Sequence, residues 1–125
     1  MSKKRPVNLD LTTIQLPLPG LTSILHRVTG VMLFVGLIFF FYAFDLSLAD
    51  EAGFNTIKLA LADTRWVKFI TWGLLTALSF HLLAGIKHLV MDFGYAETLG
   101  SANLAAKLVV VTSIILSVLA GVWIW

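Results

Sequence analysis

The sequence contains no cysteine and few charged residues. No disulfide, thiolate metal site or cysteine nucleophile can therefore form within these 125 residues. Charged residues make up 13% of the chain, about half of the fraction that is usual in soluble domains, whereas 58% are hydrophobic and the mean hydropathy is +0.92. A soluble single domain is therefore not expected. The formal net charge of +2 is too small and too dispersed for nucleic-acid binding, so no nucleic-acid partner is expected either.

Three windows carry no charged residue at all: 28–44, 69–86 and 108–125. They hold 17, 18 and 18 residues, slightly fewer than the roughly 20 that a helix needs to cross a bilayer. Flanking turns must therefore complete the spans, and we expect three helices over about 21–46, 65–90 and 102–124. Three lone strands cannot close a barrel, so the spans must be helical. The sequence predicts an all-α membrane protein whose membrane domain covers residues 21–125.

The first 20 residues are predicted to form a separate amino-terminal arm. Two prolines, followed by Gly20, interrupt any helix that extends upstream, and Thr22 or Ser23 can cap the helix that follows. A secretory signal peptide would place an apolar stretch directly after the basic start, so we expect the first span to be retained. Residues 1–20 should therefore be extended.

The positive charges are distributed unequally about the three spans. Six Lys and Arg residues fall on the side of the amino terminus, and three fall on the other side. Because Lys and Arg are enriched in cytoplasmic loops, we expect the amino terminus to be cytoplasmic and the carboxyl terminus to lie on the outer side.

The outer side carries further signals. Phe54, Ile57 and Leu61 are spaced as one apolar helical face, which predicts a short helix at the outer interface. Four tryptophans near the predicted outer ends are typical of interfacial anchors: Trp66, Trp72, Trp123 and Trp125.

A polar stripe lies at the start of the first span. Ser23, His26, Arg27 and Gly30 follow the spacing i, i+3, i+4 and i+7, which places them on one helix face. An Arg within a span costs about 2.5 to 3.5 kcal/mol on insertion scales, so it is paired, reaches the headgroups or serves a function. Reaching the headgroups is the alternative for Arg27, and helix capping is the alternative for Ser23. Together the three polar side chains make a donor cluster suited to a carbonyl or carboxylate ligand.

The second span carries His81 and His88, seven residues apart, with Gly85 between them. Because this span runs antiparallel to the first, we expect His88 near the depth of Ser23 and His81 ~10 Å deeper, near Gly30. The two glycines either let a flat ring approach the backbone or serve as close-packing positions. A neutral imidazole at this depth suits an axial haem ligand, and an interhelical hydrogen bond is the equal alternative.

The third span contains Ser113, Ser117 and Gly121 at four-residue spacing, which we interpret as helix packing only. No carboxylate lies in any charge-free window, which argues against a proton-coupled transporter. A channel would need a water-lined path that these windows do not offer. The sequence also has no Gly-rich phosphate loop and no hydrolytic triad.

Three segments resemble the larger cytochrome b membrane-anchor subunit of succinate dehydrogenase, most closely its enteric-bacterial type. They are residues 5–11, the run Ser-Ile-Leu-His-Arg-Val-Thr-Gly at 23–30, and the run at 81–95 that begins His-Leu-Leu-Ala-Gly-Ile-Lys-His. Either of the two histidine motifs alone is a weak signal, but both at this separation are specific. With three spans in register, the resemblance covers essentially the whole chain.

The resemblance implies that His81 is one axial ligand of a b-type haem, and that the smaller hydrophobic anchor subunit supplies the other histidine. It implies that Ser23 and Arg27 line a ubiquinone site beside the iron-sulfur subunit. It also implies that His26, Arg27 and His88 lie near the haem propionates. The chain would then be part of a multi-subunit helical bundle in the bacterial inner membrane, with a periplasmic carboxyl terminus. It would not be catalytic alone, because the flavoprotein subunit oxidises succinate and the iron-sulfur clusters carry electrons to the quinone.

Several alternatives stay open at this point. The chain can be the anchor of a fumarate reductase, or a purely structural membrane anchor without a redox site. His26 is the geometric competitor of His81 as a ligand. Lys87 stands where the family often has Arg, which weakens a bidentate role at that position. Asp92 either accepts a hydrogen bond from His88 or ends the helix.

Overall fold

The computed structural model describes residues 7, 9–10 and 12–125, and these residues form four helices and no strand. The helices are α1 (Leu18–Ala49), α2 (Glu51–Asp63), α3 (Arg65–Asp92) and α4 (Leu99–Ile124). Three of them, α1, α3 and α4, are long and apolar enough to cross a membrane. The prediction of an all-α chain with three membrane-spanning helices is confirmed.

Helix α1 begins at Leu18, three residues earlier than expected. Pro17 precedes the helix, and no side chain caps its first turn. Pro19 is tolerated here because the first N–H groups of a helix have no partner within it. Thr22 lies inside the helix, where its hydroxyl donates to the carbonyl oxygen of Pro19 at 3.0 Å, and Ser23 follows it. The prediction that Thr22 or Ser23 caps the first helix is therefore wrong.

The predicted arm is only partly covered by the structure, since residues 1–6, 8 and 11 lie outside the described residues. The Asp10 carboxylate accepts hydrogen bonds from the hydroxyl and the N–H of Thr12, at 2.7 and 3.0 Å. These bonds, the side-chain bond first, lower the pKa of Asp10. Residues 14–17 have no regular secondary structure, and residues 18–20 belong to α1. The division into an arm and a membrane domain stays a prediction.

The short helix expected after the first span is α2. Asp50 caps it by accepting a hydrogen bond from the N–H of Gly53 at 2.7 Å. Gly53 is buried, and a Cβ there would collide with the backbone of α1. Ile57 is half-buried, whereas Phe54 and Leu61 are exposed within this chain. The location of α2 at the membrane interface stays a prediction.

Helix α3 ends two residues later than expected, in a Schellman motif. Gly94 has a φ of 87°, in the left-handed region that favours glycine, and its N–H donates to Met91 at 2.9 Å. The N–H of Tyr95 donates to Val90 at 3.2 Å. These two bonds satisfy carbonyls of the last turn and direct the chain toward α4.

Helix α3 is central because it packs against both α1 and α4. Apart from Lys87, the buried positions of the three helices carry small or medium side chains: Thr22, Gly36, Ala77, Ala84, Ala102, Ala106, Val109 and Ser113. Such residues let helix backbones approach closely in a membrane. The larger apolar side chains mostly lie exposed on the outside of the chain, where lipid or a partner chain must cover them.

Candidate functional site

Three histidines meet where α1 and α3 pack together. The rings of His26 and His81 stack, with centroids 4.1 Å apart and 15° between their planes. The ring of His88 lies 5.1 Å from that of His26 and is tilted by 54°. We call His26, His81 and His88 the histidine cluster. The three rings line an open groove of about 410 Å³ together with Leu82, Gly85, Ile86 and Leu89.

Two glycines make room for these rings. A Cβ on Gly30 would lie 3.0 Å from Cε1 of His81, and a Cβ on Gly85 would lie 3.5 Å from Nε2 of His26. The structure thus places His81 at the depth of Gly30, as the antiparallel arrangement predicts. The sequence suggests that each glycine lets a flat ring approach the backbone. In the structure the rings beside Gly30 and Gly85 are the imidazoles of His81 and His26.

One hydrogen bond determines the tautomer of His81. Its Nδ1 lies 3.0 Å from the carbonyl oxygen of His26. A carbonyl oxygen can only accept, so we infer that Nδ1 carries the proton and donates it. The Nε2 atom of the neutral ring then keeps a free lone pair, which is the form in which an imidazole binds a metal. The interhelical bond and the ligand role, which the sequence presents as alternatives, are therefore compatible.

Thr29 stands beside this bond and is missed by sequence reasoning. Its hydroxyl oxygen lies 2.8 Å from the carbonyl oxygen of Leu25, 3.0 Å from that of His26 and 3.3 Å from Nδ1 of His81. The available signal is its spacing, because Thr29 follows His26 by three residues and therefore shares its face. A threonine within a helix is, however, usually bonded to its own backbone, and this pattern alone does not separate the two cases.

Ser23 and Arg27 stay apart from the groove. Ser23 is half-buried, Arg27 is exposed, and neither lines the space between the histidines. Neither side chain has a hydrogen bond or an ion pair with another described residue. Both are therefore unpaired polar groups on α1, close in sequence to His26.

Two further polar residues lie near the end of α3. The side chain of Lys87 is buried, with 7% of its surface exposed, and it shares a face of α3 with Ala84. Asp92 is exposed, and among the described residues no hydrogen bond joins it to His88. Asp92 is the last residue of α3, but the turn at Gly94 ends the helix, so the structure gives no support to a bond from Asp92 to His88.

The histidine cluster does not resemble a site for a bare metal ion. Within the described residues, no group of three or more His, Cys, Asp or Glu side chains is placed to hold one. A haem needs fewer protein ligands than a bare metal ion, because its porphyrin supplies four nitrogen ligands and the protein supplies only the axial ones. The imidazole of His81, with a free Nε2 beside an apolar groove, can supply one such ligand.

At the other end of α3, a second ring joins the helix to α4. Nε1 of Trp72 donates to the carbonyl oxygen of Ser117 at 2.9 Å, and the hydroxyls of Thr76 and Ser117 lie 2.7 Å apart. A Cβ on Gly121 would lie 3.4 Å from Nε1 of Trp72, and the ring of Trp125 meets that of Trp72 at 74°. We call these five residues the tryptophan cluster. The interpretation of Ser117 as a helix-packing residue agrees with these contacts, and the structure adds that the packing includes hydrogen bonds between α3 and α4.

Comparisons with known proteins agree with this architecture. The model of a family described as "Succinate dehydrogenase/Fumarate reductase transmembrane subunit" matches residues 1–120. The chain is 42% identical over 125 residues to the succinate dehydrogenase cytochrome b556 subunit of Coxiella burnetii, covering 100% of both chains. It is 33% identical to the subunit of the same name from Paracoccus denitrificans, over 92% of this chain and 88% of that one. A more distant relative, at 28% identity, is the succinate dehydrogenase cytochrome b560 subunit of Reclinomonas americana, with 99% of this chain and 88% of that one covered. The chain therefore belongs to the family of succinate dehydrogenase and fumarate reductase transmembrane subunits.

Proposed function

We propose that this chain is the membrane-anchoring, haem b-binding subunit of a succinate dehydrogenase and helps to transfer electrons from the iron-sulfur subunit to ubiquinone. The observation that carries the proposal is the state of His81, whose Nδ1 is bonded to α1 and whose Nε2 is left free at an open groove. The names of the relatives support both the haem and the enzyme, since each is a cytochrome b subunit of succinate dehydrogenase. The family description also covers fumarate reductase anchors, but those names favour the succinate dehydrogenase.

The residues of the histidine cluster fit a haem. Gly30 leaves open the place where a Cβ would press against the ring of His81, and a Cβ on Gly85 would make ordinary contact with the ring of His26. Leu82, Ile86 and Leu89 give the groove an apolar wall and are 49–58% exposed within this chain, so a large flat group can cover them. In this role His81 would hold the iron through Nε2, and a bound haem would supply a one-electron redox centre.

The smaller anchor subunit would supply the second histidine that holds the haem. The rings of His26 and His81 lie side by side at 4.1 Å, so these two side chains would not hold the group from opposite sides. This stacking disfavours His26 as the opposite ligand. His26 and His88, with the exposed Arg27, instead offer N–H groups and positive charge to the propionates at the edge of the ring.

Ser23 and Arg27 form the quinone site in this proposal. Reduction of a quinone to a quinol takes two electrons and two protons, and negative charge develops on the carbonyl oxygens as the electrons arrive. The Ser23 hydroxyl can donate a hydrogen bond to one carbonyl oxygen, and the guanidinium of Arg27 can stabilise the charge. Both groups lack a partner among the described residues, which leaves them available for this ligand.

The first experiment tests the haem ligand. We expect His81→Leu to abolish or strongly alter the b-type absorption spectrum of the assembled complex, because leucine has no nitrogen to bind the iron. His26→Leu is the matched control and should leave a low-spin haem with two histidine ligands. An unchanged spectrum in His81→Leu would refute the assignment, and loss of axial coordination in His26→Leu would transfer it to His26. If the unsubstituted complex carried no haem at all, the purely structural anchor would be favoured.

A second experiment separates quinone reduction from succinate oxidation. Ser23→Ala and Arg27→Leu should lower quinone-dependent turnover strongly, while succinate oxidation with an artificial acceptor upstream of the quinone stays near normal. Both side chains would act where the quinone binds, downstream of the oxidation of succinate. Equal loss in both assays, or no loss in either, would instead identify two structural residues of α1.

The orientation is a further part of the proposal. The six-to-three asymmetry of Lys and Arg favours a cytoplasmic amino terminus, in the inner membrane, with the iron-sulfur and flavoprotein subunits on that side. Since the chain has no cysteine, single-cysteine labelling in sealed cells tests this without a background. Asp63→Cys should react with an impermeant reagent from outside, and Glu97→Cys should not. The reverse pattern would overturn the orientation.

A further inference from the structure

The hydroxyl of Thr29 is placed among three polar atoms. It lies 2.8 Å from the carbonyl oxygen of Leu25 and 3.0 Å from that of His26, both on its own helix. It also lies 3.3 Å from Nδ1 of His81, on the neighbouring helix α3. Nδ1 of His81 therefore faces two oxygen atoms of α1, the carbonyl of His26 at 3.0 Å and the hydroxyl of Thr29.

A hydroxyl has a single proton to donate, which decides how these contacts are shared. The carbonyl of Leu25 is the nearer acceptor, and a proton given to it leaves the carbonyl of His26 to the imidazole of His81. The lone pairs of the hydroxyl then point toward Nδ1–H, which is shared between two acceptors in a three-centre hydrogen bond. The threonine hydroxyl is held in place, because bonding to the preceding turn restricts the rotamer of this β-branched side chain.

We propose that Thr29 is a positioning residue for His81. Its hydroxyl fixes the ring orientation and, with the carbonyl of His26, draws on the Nδ1 proton, so that Nε2 is a stronger electron donor. This inference rests on the proposed function, in which His81 holds the haem iron. Partners of this kind set the tautomer and basicity of a ligating histidine, and their loss typically changes metal affinity or activity 10- to 100-fold.

The geometry of the helix pair supports this role over a purely helical one. A threonine that bonds back to its own helix slightly destabilises that helix, so helix stability does not explain the residue. The next residue, Gly30, is the position where a Cβ would approach His81 to 3.0 Å. Thr29 and Gly30 thus act on the same ring, one through a hydrogen bond and the other through space left open.

The test uses the redox potential and the electron paramagnetic resonance spectrum of the haem in the purified complex. Thr29→Val keeps the shape of the side chain and removes the hydroxyl. Without the Thr29 hydroxyl, the Nδ1–H of His81 has one hydrogen-bond acceptor fewer. Nε2 would then donate less electron density to the iron, and the ferric form of the haem would be less stabilised. We expect the equilibrium between ferric and ferrous haem to shift about tenfold toward the ferrous form, which for one electron is a rise of about 59 mV, together with altered low-spin g values.

Thr71 provides the matched control. It is a half-buried threonine whose hydroxyl makes the same bond to its own helix, 2.8 Å to the carbonyl oxygen of Val67, but it lies on α3 away from the histidine cluster. Thr71→Val should leave the potential and the g values unchanged. An equal shift in the two valine variants would overturn the role of Thr29, and so would normal values in Thr29→Val with haem retained.

A second pair of variants keeps the inference testable if Thr29→Val fails to assemble. Thr29→Ser and Thr29→Ala both lose the methyl group and differ only in the hydroxyl oxygen. The serine variant should stay near the normal potential while the alanine variant shifts, and equal values in both would overturn the proposal. Failure of the proposed function has a different signature, since His81→Leu would then keep an unaltered haem spectrum whatever the Thr29 variants do.

Discussion

The two ends of α3 are joined to their neighbours by the same device. At the histidine cluster, a ring of α3 donates from Nδ1 of His81 to a backbone carbonyl of α1, with Gly30 beside it. At the tryptophan cluster, a ring of α3 donates from Nε1 of Trp72 to a backbone carbonyl of α4, with Gly121 beside it. In each case an aromatic N–H satisfies its hydrogen bond inside the membrane-spanning bundle, where water is scarce.

The difference between the two ends lies in the ring. An indole has one nitrogen, which can only donate a hydrogen bond. Once the interhelical bond is made, the indole has no polar atom left to bind a ligand. An imidazole has a second nitrogen that becomes an acceptor when the first one donates. The same packing contact that is purely structural for Trp72 therefore leaves a free lone pair on His81, which is one of the residues that line the groove.

The largest effect should follow from closing the space beside His81. Gly30→Val places branched carbon atoms where even a Cβ would lie 3.0 Å from Cε1 of the ring. The imidazole must then move away from α1 and lose its bond to the carbonyl of His26. We expect the assembled complex to lose most of its b-type absorbance.

Gly73→Val is the control for this substitution, since a Cβ at Gly73 meets nothing within 4 Å in this chain. It adds the same side chain to α3 directly after Trp72, at the other end of the helix from the histidine cluster, and should keep the haem. If Gly30→Val retained a normal spectrum, the close approach of α1 to the ring of His81 would be irrelevant to haem binding. The contact at the histidine cluster would then be as purely structural as the contact at the tryptophan cluster.

An effect on stability alone is expected at the other end. Trp72→Phe removes the Nε1 donor and part of the packed ring while leaving the histidine cluster untouched. We expect a loss of about 1–2 kcal/mol, measured as a lower melting temperature of the assembled complex, with an unchanged haem spectrum. Trp123→Phe is the control, because the Trp123 side chain is 81% exposed in this chain and makes no such bond. A changed haem spectrum in Trp72→Phe would show that the two ends are coupled.

The sequence predicts the spans well because lack of charge is a property of each segment by itself. It also predicts that His81 and Gly30 share a depth, since helical rise and antiparallel direction suffice for that. It does not predict how two helices are rotated against each other, and this rotation decides that His26 stacks on His81 and that Trp72 reaches Ser117. For this reason the sequence offers an interhelical hydrogen bond for His81 without its acceptor, and it does not predict the bond from Trp72 to Ser117.

The error at the start of α1 has a different origin. Thr22 has the side chain of a typical cap, but the fixed backbone angle of Pro19 favours the first turn of a helix, so the helix begins before Thr22 is reached. The role of Thr29 is also not predictable from the sequence. Its hydroxyl bonds to its own helix, as threonines in helices commonly do, and only the position of the neighbouring ring gives it a further role.

A smaller loss of stability should follow from removing one side-chain hydrogen bond of the tryptophan cluster. Thr76→Val deletes the hydroxyl that lies 2.7 Å from that of Ser117 and keeps the volume. Interhelical hydrogen bonds of this type average about 0.6 kcal/mol in membrane proteins, so we expect a loss of that size in the melting of the complex. Ser79→Ala removes a hydroxyl that bonds only to its own helix, 2.8 Å from the Leu75 carbonyl, and should cost less. Equal losses would mean that the bond between the helices adds nothing.

The smallest effect should come from Gly121→Ala, which adds one methyl group beside the ring of Trp72. The new Cβ would lie 3.4 Å from Nε1 of Trp72, close to ordinary van der Waals contact, so the indole can stay and keep its bond to Ser117. Alanine also favours a helix over glycine by up to about 1 kcal/mol, which offsets the tighter contact. We therefore expect a stability, measured by melting, within about 0.5 kcal/mol of that of the unchanged complex. Gly30→Ala gains the same helix preference, yet its Cβ would lie 3.0 Å from the ring of His81, and a few tenths of an ångström of displacement there should alter the g values of the haem. If both alanine variants were silent, the open space beside His81 would serve packing alone, as it does beside Trp72.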